Sequence, residues 1–272
     1  MDNYYEIPKV SNSSLSHFAK SPAHYQHYVL NGMSDTPSMK FGRLYHMAIL
    51  EREMVKENYI VFNDAKRPNP KMTMAANVNK EWKAQIESEA EKTGKELISK
   101  DDADKVNAMF KVIFADPYAR EMIQAKGETE KAYFWTDEET GIEMKCKVDK
   151  EYLPIVPDLK TTTDASPENF PRTCFKYGYH RQAAIYLDGT GGTKYRIIAQ
   201  ETAPPYAVTI FQPSEDFIWQ GRMEYKGLLA DLKICRERFG SEYDPENVWP
   251  GYGWKASAFE LDLPRWAQMD KD

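Results

Sequence analysis

The sequence predicts an α/β fold, with a mixed central β-sheet flanked by helices and a helical elaboration on its N-terminal side. Three observations carry this. Residues 142–149 alternate strictly, with Ile142, Met144, Cys146 and Val148 on one face and Glu143, Lys145, Lys147 and Asp149 on the other. That is the period of a half-buried strand. Before this stretch the apolar residues recur mostly at helical spacing; after it, strand-like and helix-like segments follow one another. Hydrophobic residues make up 42% of the 272 positions and aromatics 13%, enough for a packed core rather than a disordered chain.

The elements follow in order. Ser11 to Ser16 offer helix N-caps before Leu15 and Phe18, and Pro22 suits the first turn of a second helix. Residues 39–53 form a helix with Leu44, Met47, Ala48 and Ile49 near one side. Residues 63–77 hold two prolines and no apolar period, so they read as an exposed loop. Helices follow at 77–93, at 101–113 with Ser99 and Asp102 as a capping pair, and at 117–125 after Pro117. Strands are expected at 131–135, 142–149 and after Tyr152, the last one ending in Thr161 to Thr163. A single helix over 171–188, strands at 194–200 and 206–212, and a long amphipathic helix over 215–239 complete the pattern. We read one domain over 1–272: a mainly helical part at 1–127, a sheet core at 128–240 and a C-terminal extension at 241–272.

Several classes are excluded. No apolar run reaches the roughly 18 residues of a membrane span, and no basic-then-apolar leader opens the chain, so a cytoplasmic location is expected. Cys146, Cys174 and Cys235 lie far apart and form no CxxC pair, which suits neither a disulfide framework nor a zinc or iron–sulfur site. The net charge of −6 is unevenly placed: 85–104 carries −4, whereas 171–200 carries +4 from Arg172, Lys176, Arg181, Lys194 and Arg196 against Asp188. A local basic surface on an acidic chain is compatible with nucleic-acid binding.

One constellation can carry chemistry. Asp149 ends the polar face of its strand, and nine residues later Asp158 and Lys160 stand two apart, on the same face of a strand. If the two strands form a hairpin, the carboxylates converge at one exposed strand edge, and a divalent cation held there can drive phosphodiester hydrolysis. A lone D-x-K triplet is common by chance and equally describes a turn residue and a solvated strand end. Three further features change the balance: Gly42 with His46 on the early helix, Gln182 with Tyr186 one helical turn apart, and the order in which all of them occur.

In that order the chain resembles the RecB-type branch of the PD-(D/E)XK nuclease superfamily, and in particular the RecE-type exonucleases (the exonuclease VIII nuclease domain). The similar stretches are SNSSLSHFAKSPAHY, FGRLYHMAILE, GIEMKCKVDKE, PDLKTTTDA, YHRQAAIYLDG and the ending WPGYGWKASAFELDLPRWA. The resemblance implies metal ligation by His46, Asp149, Asp158 and the Leu159 backbone carbonyl, with Lys160 as the catalytic lysine. Gln182 and Tyr186 would support the site and contact DNA, as would Arg181 and Lys147, the latter standing where such strands often carry Arg. Glu130 is placed near the metals but not counted as a ligand. Mg²⁺ is the implied cofactor, with Mn²⁺ expected to substitute.

The activity so implied is 5′-to-3′ digestion of double-stranded DNA ends, leaving 3′ overhangs for phage-type recombination. An endonuclease, a single-strand nuclease or a non-catalytic DNA-binding subunit are the alternatives. A single-strand annealing protein is the implied partner, and a homo-oligomeric ring, tetrameric or trimeric, the implied assembly. The Lys66–Lys71 loop reads as solvated, and Trp82, Trp219, Trp249, Trp254 and Trp266 mostly as core or interface residues.

Overall fold

The computed structural model describes residues 4–256 and 258–262. Trp266 and the Leu263–Trp266 motif therefore lie outside the described residues. The helical part opens with α1 (Asn12–Phe18), in which Ser11 and Ser14 form a capping box, and α2 (Pro22–Asn31), capped by Ser21 with Pro22 in its first turn. Next come α3 (Pro37–Leu50) and a short α4 (Val55–Asn58), then β1 (Tyr59–Phe62) and α5 (Asn77–Thr93). These lead to β2 (Glu96–Ser99), α6 (Lys100–Ala115) and α7 (Pro117–Gln124). Ser99 caps α6 through the Asp102 N–H at 3.0 Å, as its spacing predicts.

The sheet strands are β3 (Thr129–Thr136), β4 (Glu143–Lys150) and β5 (Ile155–Thr162). They are followed by α8 (Phe170–Lys176), α9 (Tyr179–Thr190), β6 (Lys194–Glu201), β7 (Val208–Phe211) and α10 (Glu215–Phe239). β3 and β4 pair antiparallel in one ladder, and beside it β5, β6 and β7 form a mixed sheet, β5 and β6 parallel and β6 and β7 antiparallel. Parallel pairing of β5 with β6 requires a crossover, and α8 with α9 supplies it.

Helices cover both faces. Met144, Cys146 and Val148 of β4 and Ile197 and Ala199 of β6 pack against α1, α2, α9 and α10 through Leu15, Phe18, Tyr25, Ala183, Ala184, Leu229 and Leu232. Leu159 and Ile198 point the other way, into Tyr45 and Ile49 of α3, Met109 and Ile113 of α6, and Met122 of α7. Alternation along β6 thus feeds two cores, which is why Ile197, Ile198 and Ala199 are apolar in succession.

Three expectations are corrected. The helix expected over 171–188 is two helices, broken at Gly178 with φ +69. A Cβ there would stand 2.7 Å from the Arg181 guanidinium, so glycine both permits the left-handed turn and clears that side chain. The hairpin expected between the strands of Asp149 and Asp158 is not a ladder, because each strand pairs with a different neighbour. The parallel pair β1–β2 was not expected at all: both strands are four residues long, too short for a periodic signal.

All three cysteines are buried and free. No helix among the described residues is long and apolar enough to cross a membrane.

Candidate metal centre

Asp149 lies at the end of β4, and its Oδ2 accepts the Leu159 backbone N–H at 2.6 Å. This bond replaces a ladder rung and fixes β4 beside β5. The other carboxylate oxygen faces His46 Nδ1 at 3.4 Å. His46 is delivered by α3, whose Leu44, Tyr45, Ala48 and Ile49 are buried and fix the helix against the protein.

Across from Asp149 on β3 stands Glu130, whose neighbours Thr129 and Lys131 pair with Lys150 and Val148. Glu130 has φ +51, in the left-handed region that a branched-free but long side chain rarely adopts. Such an outlier inside a strand, beside two other ligand-type side chains, is strain located at a candidate site. Its Oε2 meets Lys147 Nζ at 2.5 Å. His46, Glu130 and Asp149 each offer one ligand atom, all within 4.8 Å of one another.

Asp158 is 2% exposed, not at an exposed edge as expected, and the Lys160 side chain is also largely covered. Asp158 Oδ1 accepts from Gln182 Nε2 at 2.7 Å, and Gln182 also reaches the Tyr195 hydroxyl at 3.2 Å. Asp158 Oδ2 is ion-paired with the Lys160 ammonium at 2.6 Å. Burial of the carboxyl raises its pKa, Lys160 opposes this, and the neighbouring Asp149 charge adds to the rise. Burial pushes Asp149 the same way, but His46, Lys160 and the Leu159 N–H together outweigh it and hold that group low. The two carboxyls of one site are thus driven apart. His46 follows its partner: burial lowers it, and the Asp149 charge and hydrogen bond more than restore it.

These residues fit a divalent cation. The cluster mixes one imidazole with carboxylates, a donor set shared by Mn²⁺ and, through the oxygens, Mg²⁺. Asp158 Oδ2, buried with the Lys160 ammonium 2.6 Å away, keeps lone-pair capacity that a cation would use.

The structure thus brings Asp149, Asp158, Lys160, His46 and Leu159 together and adds Glu130, which sequence reasoning had set aside as a ligand. Of the four ligands expected, Asp158 stands outside the three-residue cluster, turned toward Lys160 and Gln182. One expected DNA contact is corrected. Arg181 is 4% exposed, and its guanidinium is held inside the protein by Glu224 at 2.6 Å, Asn12 at 3.0 Å and Ser16 at 2.6 Å, away from any phosphate at the surface. Tyr186 is half-buried against the main core, its ring edge-on to Tyr195 at 6.2 Å. Tyr195 itself was missed; its only signal is a place on β6, whose partner strand the sequence does not reveal.

The profile of the PDDEXK-like domain of unknown function DUF3799 matches residues 11–245. The chain belongs to this family. No curated protein matches it. A candidate exonuclease from Eubacterium rectale, known from its crystal structure, is similar in fold at a TM-score of 0.57 and 14% identity, covering 86% of this chain and 85% of that one. An alkaline exonuclease from Laribacter hongkongensis is 17% identical over 71% of this chain and 93% of its own, at a TM-score of 0.28, too low to bear on the fold. This member of the PDDEXK-like family therefore carries a nuclease-type fold with a His/Glu/Asp cluster able to chelate a divalent ion.

Proposed function

We propose that this chain is a Mg²⁺-dependent deoxyribonuclease that digests duplex DNA from its 5′ ends and leaves 3′ overhangs for homologous recombination. The observation that carries hydrolysis is the meeting of Asp149, Asp158 and Lys160 with His46 and Glu130 where β4 adjoins β5. His46, Glu130 and Asp149 would hold the cation, with Asp158 at its margin and the Leu159 carbonyl as a further donor. Bound there, the cation would supply a Lewis acid for the phosphate and a more acidic water. Lys160, kept charged by its carboxylate neighbours although burial opposes it, orients the scissile phosphate and offsets charge developing on it. Gln182 holds Asp158 in one rotamer and leaves its second oxygen facing the site.

Direction, exonuclease mode, a single-strand annealing partner, a ring-shaped homo-oligomer and a cytoplasmic location are supported by the RecE-type resemblance and by the sequence, and belong to the same proposal. The purified protein, given Mg²⁺ and duplex DNA labelled at one end, should shorten the linear form from its 5′ termini and leave a circular duplex intact. Cleavage of the circle would make it an endonuclease. No cleavage of either would remove the nuclease reading. Light scattering at near-physiological salt tests the ring.

A further inference from the structure

Resting on the nuclease reading, we infer that Tyr177 is a stacking platform for an unpaired nucleobase, which draws a single-stranded or frayed DNA end toward Lys160. The Lys160 ammonium lies 5.1 Å above the Tyr179 ring, and the Tyr179 ring stacks on Tyr177 at 6.0 Å with their planes 28° apart. Two contacts therefore bridge the candidate centre and a ring that is 56% exposed. Tyr179 is half-buried and leans on Phe170, which is fully buried, so the inner member of the pair is fixed while the outer one is open.

The surroundings suit a nucleic-acid strand. Lys176 Nζ sits 5.3 Å from the Tyr177 ring centroid, and Lys176 and Arg172 are both exposed. Among the described residues neither forms a salt bridge, whereas Arg181, Arg222 and Arg236 are each held by a carboxylate. Phe175, 63% exposed with one face stacked on His180 at 4.8 Å, adds a second exposed ring on the same short segment. Cations without carboxylate partners beside exposed aromatic rings, continuous with a phosphodiester-type centre, are the arrangement that grips single strands by stacking and by charge. The break at Gly178 makes it possible: an uninterrupted helix would carry Tyr177 on without the turn that sets it against Tyr179. A duplex hides its base faces, so the occupant is an unpaired end.

The test needs no metal. Binding of a short single-stranded oligonucleotide carrying a fluorescent base analogue is measured in chelator with the full chain, together with Tyr177→Ala, Tyr177→Phe and Lys176→Gln. We expect Tyr177→Ala to weaken binding by about 5- to 100-fold and Tyr177→Phe to restore it, since either ring stacks. Lys176→Gln should lessen the salt dependence of binding by about one phosphate contact, whereas Tyr177→Ala leaves that slope unchanged. Wild-type affinity in Tyr177→Ala, or equal loss in the Phe variant, would overturn the inference. So would a change of oligomer mass in Tyr177→Ala without a change in DNA binding, which would assign the ring to a contact between copies. If the wild type cleaves DNA while Tyr177→Ala binds normally, the stacking site fails and the nuclease reading stands. If the wild type neither binds nor cleaves, the nuclease reading itself has failed.

Discussion

The Asp149 carboxylate accepts the Leu159 backbone N–H at 2.6 Å, so one side chain both closes the gap between two strands and belongs to the candidate metal cluster. Leu159 lies between Asp158 and Lys160, and this bond sets their position relative to His46 and Glu130. Replacing Asp149 with Ala should therefore do two kinds of damage, weakening metal binding and loosening the β4–β5 junction, whereas Asn, whose amide oxygen still accepts the Leu159 N–H, should do mainly the first. Hydrogen exchange at the Leu159 amide in metal-free protein would detect the second without reference to activity.

Lys160→Ala should lower cleavage by about 100- to 10,000-fold. Because Asp158 is buried and already inclined to hold its proton, it should neutralise itself when the ammonium is gone, so the variant should fold. Thermal unfolding and single-turnover cleavage, run together, check both halves.

Gln182 touches the site only through Asp158. Gln182→Ala should reduce Mn²⁺ affinity or turnover by about 10- to 100-fold, the usual effect of releasing a group that orients a ligand. Calorimetric titration with Mn²⁺ reads it directly; unchanged affinity and rate would show that Asp158 is held by other contacts.

At Glu130 stability and ligation should separate. Glycine tolerates φ +51, but Glu130→Gly also loses the Lys147 ion pair and adds unfolded-state entropy, so the stability of metal-free protein should change by no more than about 1 kcal/mol. The same change removes a ligand and should weaken Mn²⁺ binding. A folded variant that binds Mn²⁺ as well as wild type would exclude Glu130 as a ligand.

Asp137 offers a pH test away from the site. It is buried and accepts from the Thr140 backbone N–H at 3.0 Å and hydroxyl at 2.7 Å, with Lys226 as its ion-pair partner. Burial raises its pKa, but Lys226 and Thr140 together lower it below the ordinary value. A depressed carboxyl contributes stability above its unfolded pKa of about 3.9 and loses it as pH falls through the folded value. Asp137→Asn should thus cost about 1–3 kcal/mol near neutrality, shrinking below about pH 4. Denaturant unfolding at both pH values measures the difference.

Gly221 marks where α10 crosses α9: a Cβ there would lie 2.0 Å from the His180 carbonyl oxygen. Gly221→Ala should destabilise the fold by about 1–3 kcal/mol, because backbone must move to admit it. Little change in unfolding midpoint would mean the helices slide apart freely.

The sequence by itself determined the α/β class, most helix bounds, the strand carrying Asp149 and the D-x-K pair. Those features are written in local periods and caps: Ser99 before α6, Pro117 before α7, the alternation of Ile142 to Val148. Only the tertiary structure decided what those strands pair with, that Glu130 stands across from Asp149, and that Asp158 turns to Lys160 and Gln182. It also decided that Arg181 is buried while Arg172 and Lys176 stay open, although all three read alike as basic residues in one segment. The physical reason is common to these cases. Local sequence fixes backbone propensity and which face of an element is apolar, whereas ligation, ion pairing and exposure depend on groups brought together from distant parts of the chain.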